Sequence, residues 1–336
     1  MEFDSIVLAH GEGGLATKRL IEKIFSPMLA NEFLDKNEDA AVFDVRSLKG
    51  RMAFTTDSFI VEPIFFPGGD IGKLAVSGTV NDLAAMGAQP GFFAASFIIE
   101  EGFSTYDLSR VVKSFAENLK NAGAMMIAAD TKVAPEGHGG EIFISVAAIG
   151  EIYRQQNISL DKIEVGDEVV ISGDIARHFA AILAVREKID AEPPLQSDCA
   201  PLWNIVKAAI DGGVEIHSMR DPTRGGLATT LVEISEKAKI GIEIDEEKIP
   251  IKPQVISLCD IYGFDPLYLA NEGKMTFFVR RGDGEKLAGI LKNFEVSRDA
   301  AVIGRVVDGD GVILNTRTGG RRKLIMLEGA QLPRIC

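Results

Sequence analysis

Strand-like apolar runs alternate with helical patterns through the first half of this sequence, and that alternation most restricts what the chain can fold into. Residues 51–61 (RMAFTTDSFIV), 91–100 (GFFAASFIIE) and 141–149 (EIFISVAAI) are rich in β-branched and aromatic residues and read as strands. Between them, residues 70–86 and 105–122 read as helices. The second helix opens with Ser104 and Asp107 in capping-box spacing and ends at Gly123. Around residues 154–161 (RQQNISLD) the apolar content falls, which marks a domain boundary. Beyond it the mixed pattern resumes, with a strand at 168–172 and a helix at 176–187, then a proline-containing loop at 192–201. Helical patterns follow at 227–238, 254–262 and 285–291, and extended ones at 274–280 and 300–307. The expectation is two α/β (α+β) domains, residues 1–153 and 162–327, followed by a tail, residues 328–336, with no short-period repeat.

Composition narrows the classes. Of 336 residues, 46% are hydrophobic and 25% charged, which excludes a disordered or collagen-like chain. Thirty-four glycines against 13 prolines point to tight turns and close backbone approaches. Three cysteines cannot form a disulfide framework. A net charge of −13 disfavours nucleic acid as a partner; the one basic run, Arg321, Arg322 and Lys323, reads as a solvated strand edge. No segment approaches the roughly 18 to 20 apolar residues of a membrane span. The N-terminus lacks a basic signal-peptide region, and Cys336 is too close to the end for a prenylation box. The expectation is a cytoplasmic protein with reduced thiols.

Residues 5–16 (SIVLAHGEGGLA) outline a strand, G-x-G-x-x-A and a helix, but the second strand and acid of a dinucleotide fingerprint do not follow. A glycine loop closing over phosphates (Gly11, Gly13, Gly14) and a purely structural turn both remain open. Residues 68–73 (GGDIGK) are no P-loop, yet Gly68, Gly69 and Gly72 stand at a helix start, where free amides favour an anion. Asp39, Asp57, Asp82, Asp130 and Asp221 sit at the ends of apolar runs. Singly, each is an ordinary cap or turn former. Gathered at one sheet edge, they would repel one another unless a hard cation such as Mg²⁺, bridging to nucleotide phosphates, neutralised them. Lys132 reads either as a phosphate or proton-transfer group or as a surface lysine. His10, His138, His178 and His217 lack metal-ligand spacing; His10 and His138, beside glycines, are placed to line a site. Cys336 is either an accident of the terminus or a nucleophile on a mobile tail. Cys199 and Cys259 read as structural.

These pieces together resemble the HypE family of [NiFe]-hydrogenase maturation proteins, within the AIR-synthetase-like (PurM-like) superfamily. The markers are HGEGG at 10–14, TTDS at 55–58 and FFPGGDIGKLAVSGTVNDLAAMGAQP at 65–90. EEGF, DTKV, RDPTRGGL, ANEG and a closing PRIC follow in order. The resemblance implies a PurM-like two-domain fold, whose N-terminal domains pair through strands into a homodimer and bind ATP in a cleft. It implies that a HypF-type carbamoyltransferase loads Cys336 and that ATP then drives dehydration of the thiocarboxamide to a thiocyanate. The cyano group passes to iron on a HypC–HypD scaffold. By position, Cys336 carries the group and Lys132 and Glu272 assist deprotonation. Gly11, Gly13, Gly14, Gly68, Gly69, Asp57, Asn81 and Thr131 belong to the nucleotide site, and Asp39, Asp57, Asp82 and Asp130 to the Mg²⁺ site. The chain departs from the family pattern at Ala129, usually glycine, and at Glu38 and Glu12. Two alternatives stand beside this reading. One is an ATP-dependent kinase or ligase for a small molecule, although selenophosphate synthetases carry a reactive residue in the N-terminal loop where this chain has His10 and Glu12. The other is a carrier that holds a modified thiol without using ATP.

Overall fold

The computed structural model describes residues 4–11, 15–36, 50–137, 140–327 and 335. The first strand expected from residues 5–16 is not there: Leu8–Gly11 is one 3-10 turn, and Ser5 makes only an isolated bridge to Ser104. Short helices α1 (Leu15–Leu20) and α2 (Ser26–Leu29) follow, joined by a π-helical turn at Ile21–Phe25. Strand β1 (Met52–Phe59) and a two-residue hairpin, β2 (Phe65–Phe66) and β3 (Gly69–Asp70), lead into helix α3 (Ile71–Ala85). Then come β4 (Ala88–Glu100), α4 (Thr105–Asn121), β5 (Met125–Ala134) and β6 (Ile142–Ile152). The capping expectation at α4 holds, with the Asp107 amide donating to Ser104 Oγ at 3.3 Å.

The first sheet has the order β1-β6-β4-β5. Alternate residues of β6 are buried, as expected when helices cover one face of a sheet and leave the other open. Phe93 and Phe97 on β4 and Phe115 on α4 are fully buried, with the Phe97 ring edge-on to Phe25 and Phe115.

The second half holds β7 (Glu168–Ile171), α5 (Arg177–Arg186), α6 (Trp203–Asp211), β8 (Ile216–Arg220), α7 (Gly226–Ala238) and β9 (Gly241–Asp245). It continues through α8 (Pro253–Tyr262), β10 (Thr276–Val279), α9 (Gly284–Leu291), β11 (Ala301–Val307), β12 (Gly311–Asn315) and β13 (Arg321–Leu324). The sheet order is β13-β12-β9-β11-β7-β10-β8, antiparallel apart from the β9–β12 pair. β10 is buried on both faces, which explains its continuous apolar run. β13 is the edge strand expected from the basic run; Arg321 and Arg322 pair with Glu243 and Asp265 at its rim. The architecture is two-domain α/β with mixed sheets, as expected. No helix among the described residues is long and apolar enough to cross a membrane.

Candidate functional site

A cavity of about 780 Å³ lies between the two halves, bounded by β1, α3, β8 and α7. Asp57, Asp82, Asp221 and Glu272 all line it. The structure corrects where these acids sit. Asp57 and Asp130 lie inside strands and Asp82 inside helix α3, so none of the three is the cap or turn former that a lone aspartate ending an apolar run suggests. Thr55 Oγ1 donates to Asp82 Oδ2 at 2.7 Å and so joins β1 to α3. Burial pushes the Asp82 carboxyl up, the Thr55 hydroxyl draws it partly back, and the Asp57 charge adds to the rise. Burial also pushes Asp221 up, to about 7, with the charges of Asp82 and Asp57 adding to the effect. Asp82 and Asp221 thus resist ionising together, with Arg220 on the same cavity wall offsetting part of the rise, and such a pair suits a hard cation. Among the described residues no three such groups stand ready to hold a metal unaided; one or two carboxylates supplemented by phosphate oxygens is the ordinary arrangement for Mg²⁺.

Glu272 is buried, and its main chain is held from three sides. Its amide donates to Asp198 Oδ1 at 3.2 Å, its carbonyl accepts from Ala200 N at 3.3 Å, and Asn81 Nδ2 reaches the same carbonyl at 3.4 Å. Asn81 also donates to the Ala200 carbonyl and accepts from the Leu202 amide. Its amide group therefore ties the two halves together at Glu272. Below lies a fully buried ion pair, Lys274 Nζ to Asp198 Oδ2 at 3.6 Å. Nothing local in the sequence announces that pair.

Other expected residues are placed elsewhere. Asp130 and Lys132 pair with each other at 3.1 Å on the edge strand β5, exposed and away from the cavity lining, so the expected convergence of aspartates does not include Asp130 within one chain. Thr131 on β5 is buried. Gly11 packs on the same strand: a Cβ there would stand 2.5 Å from Val133 N. The amides at the start of α3 are not free for an anion, because Asp70 Oδ1 accepts from Gly72 N at 2.8 Å and Lys73 N at 3.0 Å. Gly68 has φ +95° and abuts Ser197, where a Cβ would come within 2.8 Å of the carbonyl oxygen; Gly69 packs against Phe66. His10 is buried and caps its own turn by accepting from Val7 N at 3.1 Å. Cys199 and Cys259 are buried free thiols; burial raises both, Cys259 to about 11. Glu12, Gly13, Gly14, Glu38, Asp39, His138 and Cys336 lie outside the described residues. Of the tail expected to be mobile, Ile335 is described, and it is 7% exposed, inside the protein.

Residues 37–152 match the family of AIR synthase related proteins through its N-terminal domain, and residues 164–316 match its C-terminal domain. A carbamoyl dehydratase HypE of Azotobacter vinelandii is 41% identical over 334 residues, spanning 99% of this chain and 97% of its own. The chain belongs to the HypE family. A crystal structure of a hydrogenase maturation protein HypE in complex with ATP matches at a TM-score of 0.94 and 40% identity, covering 98% of this chain and 99% of that one. A chain in a crystal structure of a HypE–HypF complex matches at 0.79 and 46% identity, covering 92% and 99%. Set against this HypE framework, reading the sequence missed Thr55, Asp198, Lys274 and the site of Ile335. Thr55 and Lys274 lie in or beside the TTDS and ANEG motifs, whereas Asp198 stands in a proline-containing loop with no signal of its own.

Proposed function

We propose that this chain uses ATP to dehydrate a carbamoyl group carried on the Cys336 thiol. The thiocarboxamide R–S–C(=O)–NH₂ and ATP give R–S–C≡N, ADP, phosphate and a proton. The carbamoyl oxygen attacks the γ-phosphorus and ADP leaves; loss of the nitrogen protons then expels phosphate and closes the nitrile. Phosphorylation is needed because an amide oxygen is a poor leaving group. The observation that carries the reading is the carboxylate-lined cavity beside Glu272, in a chain similar over nearly its whole length to carbamoyl dehydratases.

Glu272, on its rigidly held main chain, is assigned to proton removal together with Lys132. Gly11, Gly13, Gly14 and Thr131 are assigned to the nucleotide site together with Asp57; Gly68 and Gly69 belong to it through the shape of the turn before α3, whose amides Asp70 already caps, and Asn81 contributes by fixing the Glu272 loop. Mg²⁺ would be held by Asp57 and Asp82, with Asp39 and Asp130 completing the set, and would neutralise the phosphates. Asp130 and Lys132 reach the cavity of a second copy in this reading. The open face of the first sheet, where Phe54 is 69% exposed, supports a homodimer formed through residues 1–153, with residues 162–327 completing each cleft. A HypF-type carbamoyltransferase would load the thiol, and a HypC–HypD scaffold would accept the cyano group on iron.

Mass spectrometry of the C-terminal peptide, after incubation with the carbamoyltransferase and carbamoyl phosphate, tests the proposal. A carbamoyl adduct on Cys336 that loses one water only when Mg-ATP is present is expected. An adduct that never loses water would leave a carrier, and no adduct would favour a small-molecule kinase or ligase.

A further inference from the structure

The imidazole of His178, at the start of α5, is fully buried and bonded at both nitrogens. Nδ1 lies 2.8 Å from Ser197 Oγ, and Nε2 lies 2.6 Å from the main-chain carbonyl of Ile335, the penultimate residue. A carbonyl only accepts, so Nε2 carries the proton. Burial lowers the His178 pKa, which keeps the ring neutral and leaves Nδ1 as an acceptor. Ser197 must then donate its hydroxyl proton to Nδ1, and its oxygen remains open to the Cys199 amide at 3.0 Å. The hydrogen bonds run in one direction, from Cys199 N–H through Ser197 and His178 to Ile335.

The relay is rigid at each step. The Phe66 ring stands edge-on to the imidazole, 5.4 Å between centroids, and Ser197 N donates to the Pro67 carbonyl at 2.8 Å. The residue after Ser197 is Asp198, which accepts from the Glu272 amide at 3.2 Å. One short segment therefore binds the end of the chain through His178 and the Glu272 loop through Asp198.

We propose that His178 is a positioning residue that seats the chain's own C-terminal end, gripping the main chain one residue before Cys336 and setting it in register with Glu272. Its consequence for dehydration rests on the function proposed above; the seating itself does not. An imidazole N–H is matched to a carbonyl that every residue possesses, so the grip leaves the terminal side chain free to change chemically. When the end of the chain leaves, a buried donor loses its acceptor, which favours return.

The test is the rate of Cys336 alkylation by iodoacetamide in the full chain, without nucleotide or partner. Cys199 and Cys259, read by peptide mass spectrometry, report an intact fold. His178→Phe keeps a ring against Phe66 and removes the donor; Cys336 alkylation is expected to rise about tenfold, in proportion to one lost buried hydrogen bond. His178→Gln restores an N–H and is expected to recover much of the protection. An unchanged Cys336 rate in His178→Phe, with Cys199 still protected, overturns the proposal. If that variant exposes Cys199, nitrogen-15 NMR of the His178 ring decides: the Nε2–H tautomer is expected in the full chain and its hydrogen-bonded signal lost when residues 335–336 are deleted. A spectrum indifferent to the deletion also overturns it. Neither readout involves ATP or a carbamoyl group, so failure of the seating and failure of the dehydratase reading remain distinct.

Discussion

Asp57 and Asp130 occupy the two edge strands of one four-stranded sheet, in adjacent rows. Asp57 stands across from Val146, which pairs with Ala95 and so with Ala129; Asp130 belongs to the next row, with Ser96, Ser145 and Ser58. Successive rows face opposite sides, and three strand spacings separate the edges by about 14 Å. One chain therefore cannot bring both carboxylates to one ion without a large rearrangement. If a second copy supplies the β5 side, Asp82→Asn and Lys132→Met homodimers should each lose about a hundredfold or more in dehydration rate. Mixing the two, with subunit exchange, should restore a measurable fraction of activity. No recovery on mixing would place the whole site in a single chain.

Burial pushes the Asp82 carboxyl up, and the hydrogen bond from the Thr55 hydroxyl offsets part of that rise. Thr55→Val removes that hydrogen bond at nearly constant volume, a loss of about 1 kcal/mol. The expected outcome is a roughly fivefold weaker apparent affinity for Mg-ATP, measured by KM, together with a fall of about 2–4 °C in melting temperature on thermal unfolding.

Gly273 and Gly289 predict opposite results from the same substitution. A Cβ on Gly273 would stand 1.7 Å from the Asp198 carbonyl oxygen, whereas at Gly289, exposed on α9, nothing lies within 4 Å. Gly273→Ala must push apart the two segments that hold Glu272 and should cost about 3 kcal/mol together with activity. Gly289→Ala should stabilise by about 0.5–1 kcal/mol without touching activity. Chemical denaturation of both variants checks the contrast.

His217 supplies a pH dependence of stability. Burial pulls its pKa down, but the hydrogen bond to Asp167 at 2.7 Å and that carboxylate's charge outweigh it, so the folded value lies above 6.5. A raised folded pKa means stabilisation that is complete below the unfolded value near 6.5 and is lost as pH rises through the folded one. Melting temperature should therefore fall from pH 6 towards pH 8.5, and His217→Gln should flatten that slope. An equal slope in the variant would remove His217 as its source.

Much of the local structure was legible. The strands at β1, β4 and β6 and the helices α3 and α4 carry strong apolar patterning and, for α4, an explicit cap at Ser104. Elements such as β8 (IHSMR) and β9 (GIEID) escaped the reading because each is five residues long and half polar. So short a segment becomes a strand through its neighbours' hydrogen bonds rather than through its own pattern. The start of the chain erred in the other direction: SIVLA resembles a strand, but its pairing stops at one isolated bridge, Ser5 to Ser104, with Ile6 bonded to the main chain of Gly102 and Phe103.

By itself, the sequence determined the two-domain α/β class, the local helices and strands, and the chemical repertoire: buried apolar runs, acids beside glycines and a terminal thiol. Those signals act between residues a few positions apart, through periodicity, caps and turn chemistry. Only the tertiary structure decided which groups meet. It joined Asn81 to the main chain of Ala200 and Glu272, 119 and 191 residues away. It also buried Lys274 against Asp198, set Asp57 and Asp130 on opposite edges, and brought His178 to Ile335. Strand order and register follow from how whole faces pack, and one step in register reverses the side to which an aspartate points.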